Sequence, residues 1–216
     1  MQGGPHVGPP TKRSRVRRVP DRGQYDRATI DKILDEGLVA HVATAGTPVI
    51  PMGYVRDGDR LLLHGSSASR LMRSVASGAE ACVTVTLLDG LVLARSAFHH
   101  SMNFRSVVLQ GRGRAVEEGE EKAEALRVFL ERLFPGRWKE VRRPDEAELR
   151  ATSVVSFPLD EASAKIRAGP PVDEADDQGW SVWAGVVPLR LAPGPPEQDP
   201  GQAAAPWPPH LARWIM

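Results

Sequence analysis

The chain has 216 residues, 41% hydrophobic and 25% charged, with 28 Lys and Arg set against 27 Asp and Glu for a net charge of +1. That composition excludes disorder of the whole chain, and the charge balance excludes a dedicated nucleic-acid binder, whose affinity rests on a surplus of cations over the phosphates. The single cysteine, Cys82, excludes an internal disulfide and a multi-cysteine zinc site.

Residues 1–22 are rich in Gly, Pro and Arg, and the run Lys12, Arg13, Arg15, Arg17, Arg18 reads as a solvated basic tail. No apolar run reaches the length of a membrane span, and the N-terminus lacks the apolar centre of a secretory signal, so the cytoplasm is the expected location. Between Tyr25 and Glu36, Ile30, Ile33 and Leu34 fall on one helical face, with Gly37 as a stop. Segments 38–44, 48–56 and 60–64 are rich in Val, Ile and Leu and are separated by turn residues, which predicts an antiparallel meander. Ser66 to Val75 then starts with helix-capping residues and stops at Gly78.

The β-branched run 81–88 predicts a buried strand; residues 89–103 read as a shorter strand and an irregular loop, and 104–116 as another strand. From Glu120 to Phe134, Ala123, Leu126, Leu130 and Leu133 recur at helical spacing before Pro135 and Gly136. A second short helix is expected near Pro144, a strand over 152–159, a polar turn-rich stretch over 163–177 and an edge strand within 180–191. The Pro-rich segment 192–216 reads as a flexible tail, leaving a domain over 23–191. Antiparallel runs of strands, without strict alternation with helices, predict a mainly β fold: a small barrel with helices outside it.

Two clusters carry candidate chemistry. Ser66, Ser67, Ser69 and Arg70 follow a strand end and open a helix, which suits either plain capping or a phosphate met by backbone N–H groups and a guanidinium. His64 stands just before them. In the second cluster, His99 and His100 cannot both ligate one metal from regular strand geometry, because neighbours in a strand face opposite ways. Arg105 can instead reach a phosphate while Asn103 and Ser106 bond a ring edge. A G-x-x-x-x-G-K-[ST] loop, a G-x-G-x-x-G turn after a strand and a G-x-S-x-G elbow are all absent.

HVAT at 41–44, TPVIPMGYVRDGDRLLLHGSSASRLMRSV at 47–75 and VTVTLLDGLVLARSAFHHSMNFRSVVLQGRGR at 83–114 resemble the pyridoxamine 5'-phosphate oxidase-like family of FMN-binding split barrels. PGRW, ELRAT, SAKIRAGPP and WAGVVPL extend the likeness to about residue 191, and the nearest branch is that of flavin-nucleotide-binding and nitroimidazole-reductase proteins. The resemblance implies a six-stranded antiparallel split β-barrel that forms a homodimer with FMN at the interface. It places Pro51 and Met52, within 50–53, against the isoalloxazine edge, and His64, Ser66, Ser69 and Arg70 at the phosphate and ribityl chain. Arg105 and Ser106, with Asn103 beside them, complete the phosphate end, and Trp183 could stack on a ring. The substrate-phosphate residues and C-terminal Arg and His motif of true pyridoxamine phosphate oxidases are missing, so vitamin B6 oxidation is not expected. Two function classes follow: an FMN-dependent oxidoreductase acting on a small molecule, with a histidine available to protonate product, or a protein that only binds flavin or heme on the same barrel. Related barrels also use deazaflavin.

Overall fold

The computed structural model describes residues 8–117, 119–203 and 206–215. The first helix, α1 (Arg27–Glu36), starts where the Asp26 side chain accepts the Thr29 N–H at 2.8 Å. Its face of Ile30, Ile33 and Leu34 is buried in the main core. The expected meander follows as β2 (Val39–Thr44), β3 (Ile50–Asp57) and β4 (Arg60–Ser66), all antiparallel. Along β2 the pattern alternates strictly, with Ala40 and Val42 inside and Val39 and His41 outside. Helix α2 (Arg70–Ala76) sends Leu71, Met72 and Val75 into the same core.

The two longest strands are β5 (Glu80–Leu93) and β6 (Ser101–Arg112), paired antiparallel along their length with a register shift between Leu88 and Gly90. The shorter strand and irregular loop expected over 89–103 are the last part of β5 and residues 94–100, which include a 3-10 turn at Ala97–His99, before β6 begins at Ser101. Helix α3 (Glu120–Leu133) follows, then α4 (Glu146–Ala151), which starts from a reciprocal capping box between Asp145 and Glu148. Strands β8 (Thr152–Pro158) and β9 (Ala162–Arg167) come next, and β10 (Gly185–Pro188) pairs with the far end of β5. Short pieces at Gly23–Gln24 (β1) and Arg114–Ala115 (β7) lie at the two edges.

The ten strands form one sheet in the order β1-β9-β6-β5-β2-β3-β4-β8-β7, with β10 added to β5. Strands β8 and β9 pair at opposite ends of that path, with β4 and β6 respectively, yet only residues 159–161 join them. A link of that length reaches roughly 10–14 Å. The sheet must therefore curl until its ends nearly meet, and it does so without β8 pairing to β6, which leaves the barrel split along that seam. Phe157, fully buried on β8, fills the seam against the glycines of β6 and its continuation. At Gly113 any Cβ would come within 2.6 Å of Val155 Cγ1 and 2.7 Å of Val75 Cγ1, so the close approach of backbone to core requires glycine.

Helices α1 and α2 plug the two barrel ends, and α3 lies outside, burying Ala125 and Phe129 with Val55, Leu62, Val116 and Val154. A buried hydrogen bond helps to fasten the α1 plug: the Tyr54 hydroxyl donates to the Leu34 carbonyl at 2.6 Å. Burial raises the Tyr54 pKa far above its usual value, so the hydroxyl keeps its proton. Tyr54→Phe should cost about 1–2 kcal/mol, since a buried carbonyl loses its donor. An unchanged urea midpoint would show that the bond contributes nothing.

Three expectations need correction. The polar stretch 163–177 contains β9, whose Ala162, Ser163 and Ala164 are buried between β6 and the interior. Helix α3 buries Lys122, Ala125 and Phe129, a stripe rotated from the predicted Ala123, Leu126, Leu130 and Leu133. Described parts of both terminal segments contact the rest of the chain: Val16 N–H donates to the Tyr25 hydroxyl at 2.8 Å, Arg13 pairs with Glu80 and Glu161, and Trp214 Nε1 donates to the Leu133 carbonyl at 2.8 Å. The last contact explains the second correction, because Leu130 and Phe134 face the C-terminal segment across a cavity of about 450 Å³.

Candidate functional site

The first group stands where β4 ends. Inside, Leu61 and Leu63 belong to the core; outside, Leu62 and then His64 lie under α3. The His64 ring meets Phe129 edge-on with centroids 4.4 Å apart, and burial against it lowers the imidazole pKa below 6.5. The charged form of His64 is thus disfavoured, which makes it a poorer proton donor than a free imidazole. Beyond it the serines act as caps. Ser66 Oγ accepts the Ala68 N–H at 3.2 Å, Ser69 Oγ accepts the Met72 N–H at 3.3 Å, and the Ser67 and Ser69 N–H groups bond the Ala151 and Ser66 carbonyls. Most donors of the proposed phosphate cradle are thus satisfied within the chain. Arg70 is exposed at the first position of α2. Beside the turn lies a pocket of about 210 Å³ whose wall mixes Ser67, Arg73, Thr152 and Ser153 with Ala76, Ala115, Val116 and Val154.

The second group stands at the start of β6. Arg105 is held from two sides, by Asp89 at 2.9 and 2.7 Å and by the Glu36 carboxylate at the end of α1. The hydrogen bonds from Asp89 and Glu36 raise the Arg105 pKa well above its ordinary value. Arg105 is therefore a clamp between β5, β6 and α1, a role that Asp89 and Glu36 could have signalled only if their proximity had been known. Asn103 is buried, donates to the Gly169 carbonyl at 3.1 Å and accepts from Arg167, and the Ser106 hydroxyl donates to the Lys165 carbonyl at 3.3 Å.

The two groups are not together within one chain. Strands β3, β2 and β5 separate β4 from β6, roughly 19 Å along the sheet at the usual strand spacing. Pro51 and Gly53 lie between them on the outward face of β3, while Met52 turns inward onto the core. Above Gly53 no atom stands within 4 Å of where a side chain would begin. The same uncovered face carries Val39 (47% exposed), His41, Thr84, Thr86 and Leu88.

A third group was only partly seen in the sequence. Asp173 accepts from the Arg95 backbone at 2.8 Å and side chain at 2.9 Å, tying the segment before β10 to the loop carrying His99 and His100. His99 Nε2 lies 3.7 Å from Glu174, and His100 Nδ1 lies 2.9 Å from the Ser96 carbonyl. The Trp183 indole covers Gly185, where a Cβ would fall 2.8 Å from the ring. Among the described residues no cluster of three or more His, Cys, Asp or Glu could hold a metal ion, and no helix is long and apolar enough to cross a membrane.

An open antiparallel barrel, plugged by helices at its ends and bare on one outer face, is a split-barrel protein. The model of the pyridoxamine 5'-phosphate oxidase family matches residues 26–166, and the chain belongs to that family. It is similar to the flavocytochrome Anf3 from Azotobacter vinelandii, with 41% identity over 97% of this chain and 100% of that one and a TM-score of 0.91. It is also similar to the FAD and heme binding protein from Mycobacterium smegmatis, with 36% identity over 90% of this chain and 97% of that one and a TM-score of 0.85. A candidate 5-nitroimidazole antibiotic resistance protein from Bacteroides thetaiotaomicron shares the fold, at 22% identity over 67% of this chain and 86% of that one, with a TM-score of 0.55. No protein of curated function matches the chain.

Proposed function

We propose that the protein is a flavin- and heme-binding redox protein that works as a cytoplasmic homodimer and passes electrons to a small-molecule acceptor. One observation carries the reading: the likeness to a flavocytochrome extends over nearly the whole of both chains. The flavin in this reading is FAD, as named for the mycobacterial relative, where the sequence resemblance alone implied FMN.

The residues fit a flavin in two respects. The uncovered backbone at Pro51 and Gly53 leaves room for a flat ring to lie on β3. Exposed Arg70, next to the hydroxyls of Ser66 and Ser69, offers a charged donor to phosphate. The pocket of about 210 Å³ beside Ser67 is smaller than the roughly 300–1,000 Å³ of an ordinary ligand cleft, so that pocket by itself does not enclose a flavin. A second copy on the bare face of β2, β3, β5 and β6 would complete the enclosure and cover Val39 and Leu88.

Bound flavin supplies hydride chemistry and heme supplies single-electron chemistry. The chain's own contribution is to hold, orient and shield them. Burial beside Phe129 lowers the His64 pKa and so disfavours a cation there. A second reading, a protein that binds both groups without turnover, is favoured by the name of the mycobacterial relative, which records binding alone.

The absorbance of the purified protein tests the proposal. Flavin bands and a Soret band together are the expected result, with FAD recovered after heat release and a dimer in sedimentation. Recovery of FMN would correct the nucleotide only, and a colourless protein that takes up neither flavin nor hemin would end the reading. Anaerobic addition of NADH or NADPH then separates the two classes, since bleaching of the flavin marks an enzyme that accepts hydride.

A further inference from the structure

Five described histidines could meet a heme iron: His41, His64, His99, His100 and His210. They differ in what surrounds the ring. His64 sits edge-on against Phe129, and the His210 side chain is enclosed with Phe134 and Glu140. His99 has its Nε2 turned towards Glu174 and its ring edge against Phe98. His41 stands in mid-sheet between Pro51 and Thr84, with no hydrogen bond orienting its ring among the described residues.

His100 is different. Its Nδ1 lies 2.9 Å from the Ser96 carbonyl, and because a carbonyl only accepts, that nitrogen carries the proton. Nε2 is then the nitrogen left to meet a metal, and the bond to Ser96 fixes the orientation of the ring. Metal-ligating histidines are held by such a bond from the other ring nitrogen to a carbonyl or carboxylate.

The surroundings suit a large flat apolar group. Two residues beyond His100, Met102 (52% exposed) pairs with Leu91, which pairs in turn with Val187 of β10, and all three are exposed on one face of the sheet. Trp183, 65% exposed, lies over Gly185 in the neighbouring row, and Phe98 on the other flank is 90% exposed. So many large apolar side chains left in water beside an oriented imidazole call for a covering partner.

We infer that His100 is the axial ligand through which this chain holds heme iron, with Met102, Leu91, Val187 and Trp183 forming the bed for the macrocycle. The inference rests on the heme reading above and adds the residue and the surface to it.

Full-length wild-type, H100A, H100M, H64A and H41A proteins, titrated with hemin and assayed for flavin and heme per chain, provide the test. Wild type, H64A and H41A should give the same Soret band, whereas H100A should bind hemin at least about tenfold more weakly while keeping its flavin. H100M should retain heme with an altered axial-ligand signature in absorbance and electron paramagnetic resonance, which excludes misfolding as the cause. Added imidazole should restore the H100A Soret band. A wild-type Soret band in H100A, or loss of heme in H64A or H41A in its place, overturns the inference and leaves the heme reading standing. A wild-type protein that takes up flavin but no hemin overturns both.

Discussion

Phe157→Ala is expected to destabilise the protein by about 3–5 kcal/mol, the range for an aromatic removed from a closed core. The side chain is fully buried and stands where β8 faces Gly111 and Gly113 across the seam, with no neighbour able to collapse into the gap. With a denaturant slope of roughly 2–3 kcal/mol per molar urea, the midpoint should fall by about 1–2 M. The slope itself should stay the same. A shift below about 0.3 M would mean that the ends of the sheet are held by other means than this packing.

Arg105→Ala is expected to cost about 1–3 kcal/mol at pH 7, because it leaves the Asp89 carboxylate half-buried without its partner. Exposure of Glu36 to solvent keeps the figure in the lower part of the range for a broken ion pair. The effect carries a pH signature. The hydrogen bond from Arg105 holds the Glu36 pKa below its ordinary 4.5, so this contribution is complete above that value and is lost as pH falls through the folded one. The gap in stability between wild type and R105A should therefore narrow below pH 4.5. D89N should mimic the loss at pH 7. If R105A instead lost flavin with an unchanged urea midpoint, the clamp would be refuted and the phosphate role implied by the family resemblance would take its place.

Elements with a strong period were legible in the sequence. Ile30, Ile33 and Leu34 in α1, the meander of β2, β3 and β4 and the short helix expected near Pro144 all stand where their pattern places them. What failed was decided by neighbours. β9 buries Ala162, Ser163 and Ala164, residues too small and too weak in strand preference to show in a pattern, and its hydrogen bonds come from β6, more than fifty residues earlier. In α3 the leucine stripe was real but answered to the C-terminal segment, while Ala125 and Phe129 met the barrel. A helix with two partners has two apolar faces, and its period alone does not say which is deeper.

The candidate site divides in the same way. Residue types picked out two stretches where hydroxyls and arginines gather, at the end of β4 and along β6, yet partners decided their employment. Ser66 and Ser69 cap the turn before α2, and Arg105 joins two carboxylates that lie 69 and 16 residues away in the chain. Gly185 and Trp183 give no local sign that one lies under the other. The orientation of His100 depends on a carbonyl four residues back, a contact set by the 3-10 turn and not by composition.

The three-residue link between β8 and β9 has a consequence for the order of events during synthesis. Until residues 152–167 have left the ribosome, β4 and β6 both lack their outer neighbours, because those neighbours are β8 and β9. A nascent chain of about 150 residues thus carries two open sheet edges, each with free N–H and C=O groups, and a cavity lined by leucines where Phe157 will enter. Residues 152–191 of the domain hence complete a structure that is exposed to edge-to-edge association while it waits. Cells expressing this protein should depend on chaperones during that interval more than its stability, once folded, would suggest.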